Sequence, residues 1–139
     1  MDGALADLDR AVELDPAYAM AWVNRGAARL AKLDLDGSIV DSTRAIELEP
    51  GIAHAWVNRS RARLKKGVDL EGVIADATKA LELDAGSDAA WGCRGAARVL
   101  KGDNEGAISD LAHAIELAPG GQNAAVLRQL LDEARKRAR

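Results

Sequence analysis

Phenylalanine is absent from this chain of 139 residues, and aromatic side chains of every kind make up only 3% of it. A hydrophobic fraction of 48% still suffices for a core, so composition does not make the chain intrinsically disordered. The apolar residues are mostly small, alanine above all. That predicts a core closed by bringing helices together, not by filling space with rings. Charge of one sign is lacking too. Nineteen basic against 22 acidic side chains give a net charge of −3, without the basic surplus of a dedicated nucleic-acid binder. The one cysteine, Cys93, excludes an intramolecular disulfide and cannot by itself build a zinc site. The longest apolar run, residues 17–23, is far too short to span a bilayer. The opening MDGALADLDR has neither the basic start nor the apolar stretch of a signal peptide. The length suits one ordinary domain or a short run of repeated units. A soluble, cytoplasmic protein is expected, with neither membrane nor nucleic acid among its partners.

What is present is a repeat. Trp22 and Trp56 stand 34 residues apart, and Trp56 and Trp91 stand 35 apart. They open the blocks WVNRGAARL, WVNRSRARL and WGCRGAARV. Each is followed by a polar stretch and a second shared block: RAIELEP, KALELDA and HAIELAP. An orphan copy of the second block, RAVELDP, ends at Pro16. Self-similarity at this period marks stacked structural units. Each unit reads as two helices. In the first unit, Ala19 to about Leu33 carries Trp22, Gly26, Arg29 and Leu30 at helical spacing, and Gly37 to Leu48 resumes the pattern before Pro50 stops it. Gly67 and Gly102 fall where first helices should end. Asp2-Gly3, Asp36-Gly37, Glu71-Gly72 and Glu105-Gly106 recur at the start of each second helix, where an acid favours the positive dipole end. Strand-like alternation is nearly absent.

On these residues the chain resembles the tetratricopeptide-repeat family. The matches to that family's pattern are Trp22, Gly26, Ala45 and Pro50 in the first unit. In the second they are Trp56 and Ala80, with Ser60 in place of glycine and Ala85 in place of proline. In the third they are Trp91, Gly95, Ala107, Ala114 and Pro119. The resemblance implies an all-α, right-handed solenoid of stacked antiparallel helix pairs. Its parts would be a half-repeat over 1–18, full units over 19–52, 53–87 and 88–121, and a capping helix over 122–139. Two departures are systematic. Arginine pairs replace the usual Leu and Tyr of the first helix, at Arg25 and Arg29, Arg59 and Arg63, Arg94 and Arg98, four residues apart and so on one helical face. Asp7, Asp41, Asp76 and Asp110 recur on the second helices. These columns are expected to meet as an Arg–Asp ladder, the alternative being solvated arginines. The other departure is the lone second helix at the start, which leaves Leu5, Leu8 and Val12 with an uncovered side for self-association. The basic end ARKRAR fits a solvated C-terminal cap beside the negative dipole end.

No catalytic constellation is visible, and no cofactor or metal is expected. His54 and His113 lie on different helices of different units, Cys93 occupies the place of Asn24 and Asn58, and no glycine-rich phosphate loop exists. Glu47, Glu82 and Glu116 recur with the repeat and so mark architecture. Stacked pairs with a small rotation per unit line a concave groove with their first helices. The resemblance places Met20, Val23, Asn24, Ala27 and Ala31 in that groove from the first unit. It adds His54, Val57, Asn58, Arg61 and Lys65 from the second, and Ala89, Gly92, Cys93, Ala96 and Leu100 from the third. Asn24 and Asn58 would either hold a bound peptide's backbone, since an amide donates and accepts together, or cap local polar groups. The family's carboxylate clamp needs Lys and Asn where this chain has Val23 and Ala27, so docking of chaperone tails is not expected. Three functions remain: a non-enzymatic adaptor holding an apolar segment with an acidic residue, a self-assembly module forming homo-oligomers, or the interaction segment of a larger bacterial multidomain protein.

Overall fold

A computed structural model describes residues 2–139, and all regular secondary structure in them is helical. The helices are α1 (Asp2–Leu14), α2 (Ala19–Ala31), α3 (Leu35–Leu48), α4 (Ala53–Lys66), α5 (Leu70–Leu83), α6 (Asp88–Lys101), α7 (Asn104–Leu117) and α8 (Ala124–Ala138). None is long and apolar enough to cross a membrane.

Helix ends follow from local chemistry. Asp34, Asp69 and Asp103 cap α3, α5 and α7, their carboxylates accepting from the amides of Gly37, Gly72 and Gly106 at 2.9–3.0 Å. The second helices therefore begin two residues before the point expected from the acid–glycine pairs. Asp36, Glu71 and Glu105 sit in the first turn, where the dipole favours them. A Cβ on Gly37, Gly72 or Gly106 would run into the capping carboxylate, which explains the recurring glycine. At the other ends, Gly67 (φ +75°) and Gly102 (φ +86°) close α4 and α6 in the left-handed conformation. Leu33 takes the same place after α2 with φ +64°. The extra residue of the 35-residue interval is Val68, between Gly67 and the cap Asp69, which turns left-handed at φ +52° to absorb it.

Helices α2 and α3, α4 and α5, and α6 and α7 form antiparallel pairs, each packed on the next pair, with α1 on α2 at one end and α8 on α7 and α6 at the other. The first helices α2, α4, α6 and α8 touch in succession, whereas the second helices α1, α3, α5 and α7 do not touch one another among the described residues. The stack therefore curves, with the first helices inside.

Small residues set the pair spacing. A Cβ on Gly95 would stand 2.8 Å from Leu111 Cδ2, and one on Gly26 3.2 Å from Ser42 Oγ. Where Ser60 stands in the glycine column, Ala77 replaces the bulkier partner, and Ser60 donates its hydroxyl to the Val73 carbonyl at 3.1 Å.

The expected ladder is present. Arg25, Arg59 and Arg94 each grip one buried carboxylate through Nε and Nη2, on Asp41, Asp76 and Asp110, at 2.8–3.0 Å. Arg29, Arg63 and Arg98 reach the same carboxylates at 2.7–3.1 Å. One rung differs from expectation. Arg25 extends Nη1 to Asp9, not Asp7, just as Arg59 and Arg94 extend theirs to Thr43 and Thr78 on the preceding second helix. Asp7 is exposed, and no first helix among the described residues stands before α1 to offer it an arginine. Val12 also differs. It is buried, Leu5 and Leu8 on the same face of α1 are half-covered, and only Leu14, on the opposite side of the helix, is an exposed leucine.

Candidate functional site

The concave surface is built from α2, α4 and α6 and is closed at one end by α8. In the first unit Asn24, Ala27 and Ala31 are exposed and Met20 is half-buried, while Val23 is buried with Ala45 and Ala55 between helix pairs. Two clefts lie over the later units. The smaller, about 220 Å3, runs between α4 and the start of α6 and is lined by His54, Val57, Asn58 and Arg61 on one side and Ser87, Asp88 and Ala89 on the other. The larger, about 380 Å3, lies between Arg61, Leu64 and Lys65 of α4, Ala89, Gly92, Cys93 and Ala96 of α6, and Leu127 and Leu130 of α8. Arg61, Asp88 and Ala89 border both, so the two clefts form one groove. Leu100 is exposed and borders neither.

The buried Asn58 side chain donates from Nδ2 to the Val23 carbonyl at 3.5 Å, joining α4 to α2. Its amide is engaged with the neighbouring unit, whereas the exposed Asn24 stands open to solvent. Burial pushes the Cys93 thiol up to about 11, against the opposing pull of Arg61, a hydrogen bond with Ser60, and Lys65. The thiol, held in its neutral form, forms part of the wall of the larger cleft. Among the described residues no group of three or more His, Cys, Asp or Glu side chains could hold a metal.

The groove cations differ from the other cations of α1 to α7. Arg25, Arg29, Arg59, Arg63, Arg94 and Arg98 are held in the ladder, and Arg10, Arg44 and Lys79 pair along their own helices. Lys66 pairs with Asp36 and Lys101 with Glu71, tying each first helix to the previous second helix. Lys32 is engaged as well. Among the described residues of α1 to α7, Arg61 and Lys65 are the cations without an ion pair or hydrogen bond, and both face the larger cleft.

Sequence reasoning missed the contribution of α8 and the turn before it. Continuing the 34-residue step from Cys93 lands on Leu127, which was the available signal. Arg128 likewise continues the Arg94 column. With Ala125 in the tryptophan column, Arg128 donates to the Pro119 carbonyl, the bond that the indoles of Trp22, Trp56 and Trp91 make to Pro16, Pro50 and Ala85. Away from the groove, the first arginine of each ladder lies over its unit's indole at 5.1–5.2 Å. His113, exposed on α7, stacks on Trp91 with ring centroids 4.3 Å apart.

No protein-family model and no curated protein matches the chain. Solved structures do. The chain is similar to the TPR domain of Arabidopsis OM64, with 26% identity and a TM-score of 0.76 over 85% of this chain and 94% of that one. The second TPR domain of human RPAP3, solved with the HSP70 peptide SGPTIEEVD, is 27% identical with a TM-score of 0.72 over 84% and 94%. MamA superposes on 98% of this chain and 78% of its own with a TM-score of 0.77 at 20% identity, a likeness of fold. The chain has the tetratricopeptide-repeat fold. On this tetratricopeptide scaffold, the positions where the resemblance would need the Lys and Asn of a carboxylate clamp hold the buried Val23 and the apolar Ala27. Its groove cations lie further along, at Arg61 and Lys65.

Proposed function

We propose that this chain is a non-catalytic protein-interaction scaffold, holding a segment of another protein in the groove lined by α4, α6 and α8. The observation that carries this reading is the pair of unpartnered cations, Arg61 and Lys65, beside an apolar cleft of about 380 Å3, in a molecule whose other helical cations from α1 to α7 are engaged. Clefts of this size, mostly apolar with a few charged groups, are where ligands bind. A human TPR domain of the same fold was solved with an acidic peptide, which supports a segment carrying at least one carboxylate. The ladder, by contrast, has its charges satisfied internally and serves the fold. We place the protein in the cytoplasm, consistent with its single buried thiol.

The test is charge reversal. Arg61→Glu combined with Lys65→Glu should weaken a genuine partner by about tenfold or more, as loss of buried charge-assisted contacts does. The fold should be untouched, since neither side chain supports it. Unchanged affinity in pull-down or fluorescence anisotropy would place the binding surface elsewhere.

A further inference from the structure

Helix α1 carries the face that α7 turns to α6. Ala107, Asp110, Leu111 and Ala114 of α7 are at most 1% exposed. The same columns in α1 hold Ala4, Asp7, Leu8 and Ala11, the same four residue types in the same order. Among the described residues no first helix covers them, so Ala4 and Asp7 are exposed and Leu8 and Ala11 only half-buried. On α7 this face accepts one kind of helix. Asp110 receives Arg94 Nε and Nη2 at 2.9 Å and Arg98 Nη1 at 2.7 Å. Leu111 leaves no room for a side chain between them, since a Cβ on Gly95 would stand 2.8 Å from it. The matching pattern is Arg-Gly-x-x-Arg, with the two arginines four residues apart on one side of the helix.

We propose that the open face of α1 docks a helix of another protein carrying Arg-Gly-x-x-Arg, whose two guanidinium groups close on Asp7 as Arg94 and Arg98 close on Asp110. Charge agrees, because the four acids and one arginine of α1 give it a net charge of −3. A second copy of this chain does not supply the helix. Its arginine-bearing helices α2, α4 and α6 already hold Asp41, Asp76 and Asp110. Its α8 has Arg128 in the first arginine column, but Gln129 in the glycine column and Asp132 in the second arginine column. Gln129 would collide with Leu8, and Asp132 would repel Asp7. The site lies at the far end of the stack from the groove walls of α6 and α8, so it stands independently of the function proposed above.

The probe is a labelled synthetic peptide of residues 85–102, the chain's own α6, with Cys93→Ser to prevent oxidation. Short helices are marginal in water, so a lactam between Ala96→Glu and Leu100→Lys holds it helical on the side turned to the groove and solvent. Fluorescence anisotropy with the full chain should show saturable binding. Asp7→Asn in the protein, an exposed position whose change leaves the fold intact, should weaken it by about tenfold or more, as should Arg94→Gln in the peptide. A peptide with Gly95→Leu keeps its charge and should not bind. Arg61→Glu with Lys65→Glu in the protein should leave affinity unchanged, which separates this site from the groove. Absence of saturable binding, equal binding by the Gly95→Leu peptide, or indifference to Asp7→Asn would overturn the proposal. A dimer of the chain alone in light scattering, lost on Asp7→Asn, would overturn it too, because a second copy would then cover α1.

Discussion

Leu33 holds a conformation that suits glycine. Its φ of +64° matches Gly67 and Gly102 at the same place in the later units, and a left-handed L-residue costs about 1–2 kcal/mol. The side chain is 67% exposed, so it recovers little by burial. Leu33→Gly is predicted to raise stability by about 0.5–1 kcal/mol, the strain relieved less the extra freedom glycine gains on unfolding. Thermal unfolding should shift upward by a few degrees, and a downward shift would show that Leu33 packs more productively than its exposure indicates. The same residue shows what single letters can hide. Gly67 and Gly102 announced the ends of their helices, but Leu33 gave no such signal, and α2 ends at Ala31, before the expected Leu33. Gly92 was legible only as a groove position. That it breaks a valine column follows from comparing units, and that Leu127 packs against it follows only from the fold.

Helix pairs are joined by charge in an unusual way. Each ladder places two guanidinium groups on one buried carboxylate between a first helix and its own second helix, and the Thr43 and Thr78 hydroxyls extend the bonding to the next unit. Such networks are costly to break one partner at a time, because the remaining charge is stranded. Asp76→Leu alone should cost about 3–5 kcal/mol in urea unfolding. Arg59→Met together with Asp76→Leu should recover much of that loss, since Arg63 keeps Asp69 nearby at 4.0 Å and part of its surface in water. A cost for Asp76→Leu below about 1 kcal/mol, typical of an exposed pair, would show the ladder to be ornamental. The Arg and Asp columns could be seen in the sequence because they recur with the repeat. The contact of Arg25 with Asp9 could not, because it depends on which residue of the preceding helix α1 its Nη1 reaches. The capping aspartates were missed for a related reason: Asp36, Glu71 and Glu105 carry the visible pattern, while Asp34, Asp69 and Asp103 make the hydrogen bonds.

At the scale of the molecule, the fold was legible almost entirely. Period, tryptophan spacing and helix punctuation predicted stacked antiparallel pairs, and the structure has them. The site was legible in part. The second and third units bring His54, Val57, Asn58, Arg61, Lys65, Ala89, Gly92, Cys93 and Ala96 to one groove, but Val23 is buried between helix pairs and α8 supplies a wall that the sequence presented only as a cap. Curvature explains this, since it brings α8 beside α6 and turns a solubility cap into part of a cleft. Titration of isotope-labelled protein with an acidic partner segment, followed by amide chemical shifts, tests the groove most directly. Perturbation concentrated on residues 54–65, 88–96 and 121–130 is the predicted result. Perturbation confined to α1, or to the Trp–Arg ridge outside the groove, would contradict it.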